Sequence, residues 1–345
     1  MVGWLLLCMV GLAWGLHWRR TRRRLQQSLR GPHVWLSGCL LALLATLPEL
    51  WCAWYVDTTD AFGQSNLSRR WFKRHVWPNE AGYRDGREFP QERADDVQYW
   101  VFVGDSFAFG HGLERLEDRM TERLEAELKR RYPECHIQVY NAALPGMEIR
   151  AIVEGVIPDL LQRMPIDTLW YVFVPNDLEF YDDRTAEFYR RLQRREPRFW
   201  LWRYTYFYNW LYHRWQGVLA RGEFDYYGYL AEAATGEAWE HFDHKLNELW
   251  QLTSARGMTL HFVIFPLLTT LGMESDPFAP LYERVITWCR LHDVACIDLR
   301  ESLRPHLTEG LMLHAFDPHP NQRAHALAAQ ALLHRVEPPC GDREP

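Results

Sequence analysis

From Tyr99 the chain runs Tyr99-Trp100-Val101-Phe102-Val103 without a polar side chain apart from the phenol, then breaks at Gly104-Asp105-Ser106. An unbroken apolar run of this length is the pattern of a strand covered on both faces. The run 168–174 (Thr-Leu-Trp-Tyr-Val-Phe-Val) repeats it and stops at Pro175-Asn176-Asp177, and a further strand, 259–265, with His261 within it, ends at Pro266. Shorter strands are predicted at 137–141 and 295–299. Helical periodicity fills the intervals: 118–131, with Met120, Leu124 and Leu128 four apart and Pro133 beyond its end, then 149–164 before Pro165, 239–256, 280–292 and 322–335. Strands alternating with helices of this size predict an α/β fold, a three-layer α/β/α sandwich around a parallel sheet.

Two further apolar stretches precede this pattern. Residues 1–18 contain no acid, lysine or arginine, and at about 1.5 Å per helical residue they just reach across a hydrocarbon core of roughly 30 Å. A secretory leader would carry its basic residues before the apolar run. Here Arg19, Arg20, Arg22, Arg23, Arg24 and Arg30 follow it. The second stretch, from Val34 to about Val56, ends in Trp51, Trp54 and Tyr55, the residues of an interfacial belt, and carries one acid, Glu49. Two transmembrane helices around an arginine-rich loop form a hairpin, residues 1–56, with the loop in the cytoplasm. Everything after residue 57 then faces outward. In a bacterium that is the periplasmic side of the inner membrane.

Residues 57–97 are polar and rich in turn formers, and are expected to be linker and lead-in. The globular domain is expected over 98–335, with a tail from 336 to 345. An insertion at about 180–238 interrupts it after Asp177, and 199–215 reads Phe-Trp-Leu-Trp-Arg-Tyr-Thr-Tyr-Phe-Tyr-Asn-Trp-Leu-Tyr-His-Arg-Trp. Such a run packs as a core helix with tyrosines at its rim, or forms a lid or platform that meets sugar faces or a lipid headgroup layer.

Composition narrows the class. A formal net charge of -6 over 345 residues argues against nucleic acid as the main partner. The seven cysteines include no Cys-x-x-Cys, so neither a zinc site nor a dense disulfide framework is suggested. Cys289 and Cys296 are near enough in sequence to pair in an oxidising compartment. No glycine-rich nucleotide-binding motif is present.

The chemistry lies at the strand ends: Gly104-Asp105-Ser106, Asn141 to Gly146, Asn176-Asp177, and a final Asp317-Pro318-His319-Pro320-Asn321. Each has a plain reading as turn or helix cap, Ser106 and Asn321 being apt N-caps. Together, in this order, they resemble the SGNH hydrolases, the GDSL esterases and lipases, over roughly 98–335, and the lead-in from Pro78 to Asp85 resembles that of some bacterial members. The resemblance implies a flavodoxin-like sheet and ester hydrolysis through an acyl-enzyme on Ser106. It also implies oxyanion donors from the Ser106 amide, the Gly146 amide and the Asn176 side chain. A serine hydroxyl needs an adjacent base, for which His319 is the candidate over His314 and His325, and the base needs an orienting acceptor, Asp317. Two departures stand out. Val174 lies where the family usually has glycine, and Asp317 lies two residues before the histidine where three is common.

The implied substrate is a carboxylic ester, acetyl or acyl, of an envelope glycan or lipid, with no metal or organic cofactor required. The rival reactions are O-acetyl transfer to an exopolysaccharide or peptidoglycan, which would need a membrane partner in envelope biosynthesis, and a non-catalytic module that binds glycan or assembles a complex.

Overall fold

The computed structural model describes residues 32–179, 187, 190–191, 196–220 and 225–336. The first apolar stretch, its arginine cluster and most of the tail lie outside them. The described chain forms two compact units, one from residues 32–57 and 197–212, the other from 58–196 and 213–336.

The larger unit is built on a five-stranded parallel sheet: β1 (Val97–Gly104), β2 (His136–Asn141), β3 (Thr168–Phe173), β4 (Thr259–Ile264) and β5 (Ala295–Asp298), in the order β2-β1-β3-β4-β5. This is the doubly wound, flavodoxin-like order. β1 leads outward to β2 and the chain then returns past β1 to β3, so the direction of winding reverses there. Right-handed crossovers then place helices on opposite faces. Met120–Arg131 packs with Gln322–Arg335 on one side, and Ile149–Ala151 packs with Glu237–Ala255 on the other. The apolar runs of β1 and β3 are buried throughout their sheet-paired length, as strands covered on both faces must be. Phe102 and Trp170 stack across them with ring centroids 5.0 Å apart.

Four details differ from the sequence reading. Residues 57–97 fold onto the sheet unit as more than a linker. They carry a helix, Asn66–His75, capped by Ser65, and bury Asp60, Arg84 and Asp85 in hydrogen bonds. The final loop contains a short antiparallel hairpin, β6 (Met312–His314) with β7 (Asp317–Pro320). The helix from Ile149 continues to Arg163 through a π turn, Ile152–Val156. Cys289 and Cys296 are neighbouring free thiols, and the hydrogen bond between them together with burial holds the Cys289 thiol well above its usual range. Cys135 is disulfide-bonded.

The smaller unit contains the helix Pro32–Trp54 and the helix Trp200–Tyr204, and the helix Phe207–Ala220 begins in it. Trp35–Trp54 is the one helix among the described residues long and apolar enough to cross a membrane. The other expected span falls outside the described residues.

Candidate active site

The site gathers where the winding reverses, at the carboxyl ends of β1 and β3, where open α/β sheets hold ligands. Gly104 closes β1 because no side chain fits there: a Cβ would stand 2.9 Å from the Val172 carbonyl of β3 and 3.2 Å from Ala108 Cβ. Asp105, with Ser106 the first helical residue, caps the short helix Ser106–Phe109, its Oδ1 accepting the Phe107 N–H at 2.8 Å. The cap predicted for Ser106 therefore belongs to its neighbour, and the serine side chain is left to point elsewhere.

It points at a histidine. Ser106 Oγ lies 2.8 Å from His319 Nε2, and His319 Nδ1 lies 2.6 Å from Asp317 Oδ1. The hairpin makes this reach possible, since β7 carries both Asp317 and His319 and sets them against the helix Ser106–Phe109. The two-residue spacing is no obstacle, because Asp317 Oδ1 accepts both the ring and, at 3.2 Å, the His319 backbone N–H. With Nδ1 held by a carboxylate, Nε2 faces the serine as acceptor.

Burial sets the electrostatics. Burial and the neighbouring His111 lower His319 to about 4 against the opposing pull of Asp317, so the imidazole is neutral at pH 7. Burial raises the Asp317 carboxyl, but bonds from His111 and His319 outweigh it and hold the group ionised, well below the usual carboxylate range. Thr59 Oγ1 donates to Asp317 Oδ2 at 2.6 Å.

His111 was not anticipated. Its ring stacks on His319 with centroids 4.1 Å apart, and its Nε2 lies 3.5 Å from Asp317 Oδ2. Thr59 and His111 come from a polar lead-in and a glycine-rich turn. Neither stretch has a periodicity that would mark a site residue, and the Thr59–Asp317 bond spans 258 positions. His111, Asp317 and His319 also place three ligand atoms within 4.8 Å of one another. A divalent ion held there would take the carboxylate that orients His319.

The expected oxyanion donors are placed unequally. Asn176, in the 3-10 turn after β3, donates Nδ2–H to Asp105 Oδ2 at 2.8 Å. A primary amide has two such hydrogens, so this bond orients the group and keeps one donor in hand. The Ser106 N–H opens its helix, where first-turn amides lack intrahelical acceptors. Gly146 is exposed in a left-handed conformation, φ +74°, and no bond joins it to Ser106 or Asn176 among the described residues.

The remaining polar positions are structural. Asn141 donates to the Ala108 carbonyl at 2.8 Å and to Thr121, holding β2 against the Ser106–Phe109 helix. Asp177 is buried and accepts from Tyr171 Oη at 2.8 Å and from the Val174 N–H, with burial and then Asp105 raising it well above the usual carboxylate range. Val174, in place of glycine, is buried in extended conformation. Of the rival histidines, His314 meets Thr58, while buried His325 accepts the Met120 N–H at the start of its helix. Asn321 caps the last helix as expected.

No family model matches the chain and no curated protein matches it. Among solved structures it is similar to an acetyl xylan esterase, AlAXEase, at 13% identity and TM-score 0.45, covering 69% of this chain and 100% of that one. It is similar to a catalytic mutant of Axe2, an acetylxylan esterase from Geobacillus stearothermophilus, at 16% identity and TM-score 0.45, covering 69% and 93%. TesA matches at 15% identity and TM-score 0.44, covering 70% and 99%.

Proposed function

We propose that this chain is a membrane-tethered serine esterase that hydrolyses acetyl or acyl esters of an envelope glycan or lipid. The observation that carries the reading is the unbroken line Asp317–His319–Ser106, with both hydrogen bonds in place and the histidine neutral.

Ser106 Oγ bonds to the ester carbonyl carbon as its proton passes to His319 Nε2, and the new imidazolium is stabilised by ionised Asp317. The oxyanion is met by the Ser106 N–H, the Gly146 N–H and the Asn176 amide. The tetrahedral centre collapses by breaking the bond to the alkoxy oxygen, which takes the proton from Nε2 and leaves as an alcohol. Water then attacks the acyl-Ser106 carbonyl, gives its proton to Nε2, and the acid departs as Ser106 regains its hydrogen.

Two features support an extracytoplasmic address: the apolar helix Trp35–Trp54 and the disulfide at Cys135, a bond that persists in oxidising compartments. The test is a panel of acetyl to long-chain esters with wild type and Ser106→Ala, beside labelling with a fluorophosphonate probe. Turnover and labelling should both vanish in Ser106→Ala. Labelling that persists would put the nucleophile elsewhere. A wild type inert to esters but active in moving acetyl to an added glycan would make it a transferase.

A further inference from the structure

An apolar helix near the start of a chain fits a permanent anchor or a leader that is cut away, and Glu49 separates the two. Its Oε1 accepts the Tyr206 N–H at 2.8 Å and its Oε2 accepts the Phe207 N–H at 2.9 Å. These amides open the helix Phe207–Ala220, where N–H groups lack intrahelical partners and the helix dipole favours an anion. One turn earlier, the Ala45 carbonyl accepts Tyr208 Oη. A helix joined in this way to residues more than 150 positions away belongs to the finished fold, because its removal would strip the cap from another helix.

The same bonds set a depth. Glu49 lies five residues before Trp54, about 7.5 Å along the helix axis. Segment 199–212 is therefore held inside the end of the apolar helix. A carboxylate at that level is costly unless paired, and backbone amides pair this one. The segment is rich in rings directed outward: Tyr204 is 73% exposed and Phe199 55%, while Leu41 and Trp54 on the apolar helix are 67% and 63% exposed. Apolar surface of this kind, continuous with a helix of membrane-spanning length, fits the headgroup and acyl boundary of a bilayer, where aromatic side chains settle.

We infer that Trp35–Trp54 is retained in the mature protein and that segment 199–212, clamped to it by Glu49, is seated in the outer bilayer interface as an aromatic collar. This rests on the membrane reading above.

The test uses the full chain purified from membranes and reconstituted in phosphatidylethanolamine–phosphatidylglycerol vesicles. Intact mass should show residues 35–54 present, and their loss would overturn the inference. A benzoylphenylalanine photocrosslinker placed in turn at Leu41 and Tyr204 should form lipid adducts at both. An adduct at Leu41 without one at Tyr204 would overturn the collar and leave the anchor standing. No adduct at Leu41 would overturn the membrane reading itself. In Glu49→Leu the Tyr204 adduct should fall severalfold with Leu41 unchanged, and Glu49→Gln, which keeps an acceptor, should restore most of it. An undiminished adduct in Glu49→Leu would show that Glu49 is not the clamp.

Discussion

The two units treat the same kinds of side chain in opposite ways. In the sheet unit, Phe102 and Trp170 are fully buried and stack on one another, and Asp317, with no exposure, accepts from Thr59 and His319 while His111 Nε2 lies 3.5 Å away. In the N-terminal unit, Trp51 is 60% exposed and the leucines of its helix face outward, while the carboxylate of that helix, Glu49, is spent on two backbone amides. One unit completes its own core and turns its polar groups into a working line. The other pairs the Glu49 carboxylate with backbone amides of its own and leaves the leucines and tryptophans of its helix uncovered. Exposed apolar area on this scale marks an interaction surface, so on the proposed reading the contrast separates where chemistry is done from where the protein is held.

The largest test of that division is Ser106→Ala. Removing the nucleophile should cut kcat by on the order of 10⁴- to 10⁶-fold, with the thermal midpoint of the sheet unit unchanged, as read by ester turnover and calorimetry. Asp317→Asn comes next. It should lower kcat by about 10⁴-fold, because the amide presents the wrong partner to His319 Nδ1. Activity within tenfold of wild type in either variant would break the assignment of chemistry to this line.

These residues were legible because their chemistry forces them to strand ends, and apolar runs such as 168–174 mark where strands end. The parallel sheet follows from the alternation of strands and helices, its flavodoxin-like order is implied by the family resemblance, and the strands predicted from the apolar pattern end within a residue or two of those observed. What stayed hidden depends on bonds between distant positions. Thr59 and Asp60 sit in a turn-rich stretch whose signal is that of a linker, yet Asp60 accepts from the Gln64 and Ser65 N–H groups and steadies the turn that delivers Thr59 to Asp317. A local sign was present: Leu67 and Trp71, four apart behind Ser65, are the buried stripe of a capped helix. The aromatic insertion hid for another reason. Its rings fall on every side, so no stripe points to a core, and the partner that places it is Glu49, which as a sequence feature is only a flaw in an apolar run.

A substitution of one residue type in both units sharpens the contrast. Trp170→Ala opens a cavity among Phe102, Trp100 and His261 and should cost about 3–5 kcal/mol in urea unfolding of the detergent-solubilised protein. Trp54→Ala, on the outward face of the apolar helix, should stay within about 0.5 kcal/mol in the same assay. Equal costs would mean that the exposed tryptophan is packed by the protein after all, and that the outward surface is not a surface.

The smallest expected effect concerns the line itself. The base must be neutral to accept the serine proton, so kcat/KM should fall as pH drops through the free-enzyme value of His319, about 4. An unperturbed imidazole would put that fall near 6.5. Burial is the first cause of the lowering and His111 the second, while Asp317 and the more distant Asp60 oppose it. In His111→Phe the ring stack is kept and the second titratable ring is lost. One of the two lowering influences disappears, so the acid limb should move up toward 6.5, with kcat at pH 8 changed less than tenfold. A limb that stays put in His111→Phe would assign the lowering to burial alone. A wild-type limb already near 6.5 would mean that His319 is open to water in the working enzyme, and the sheet unit would then share the exposure that sets the other unit apart.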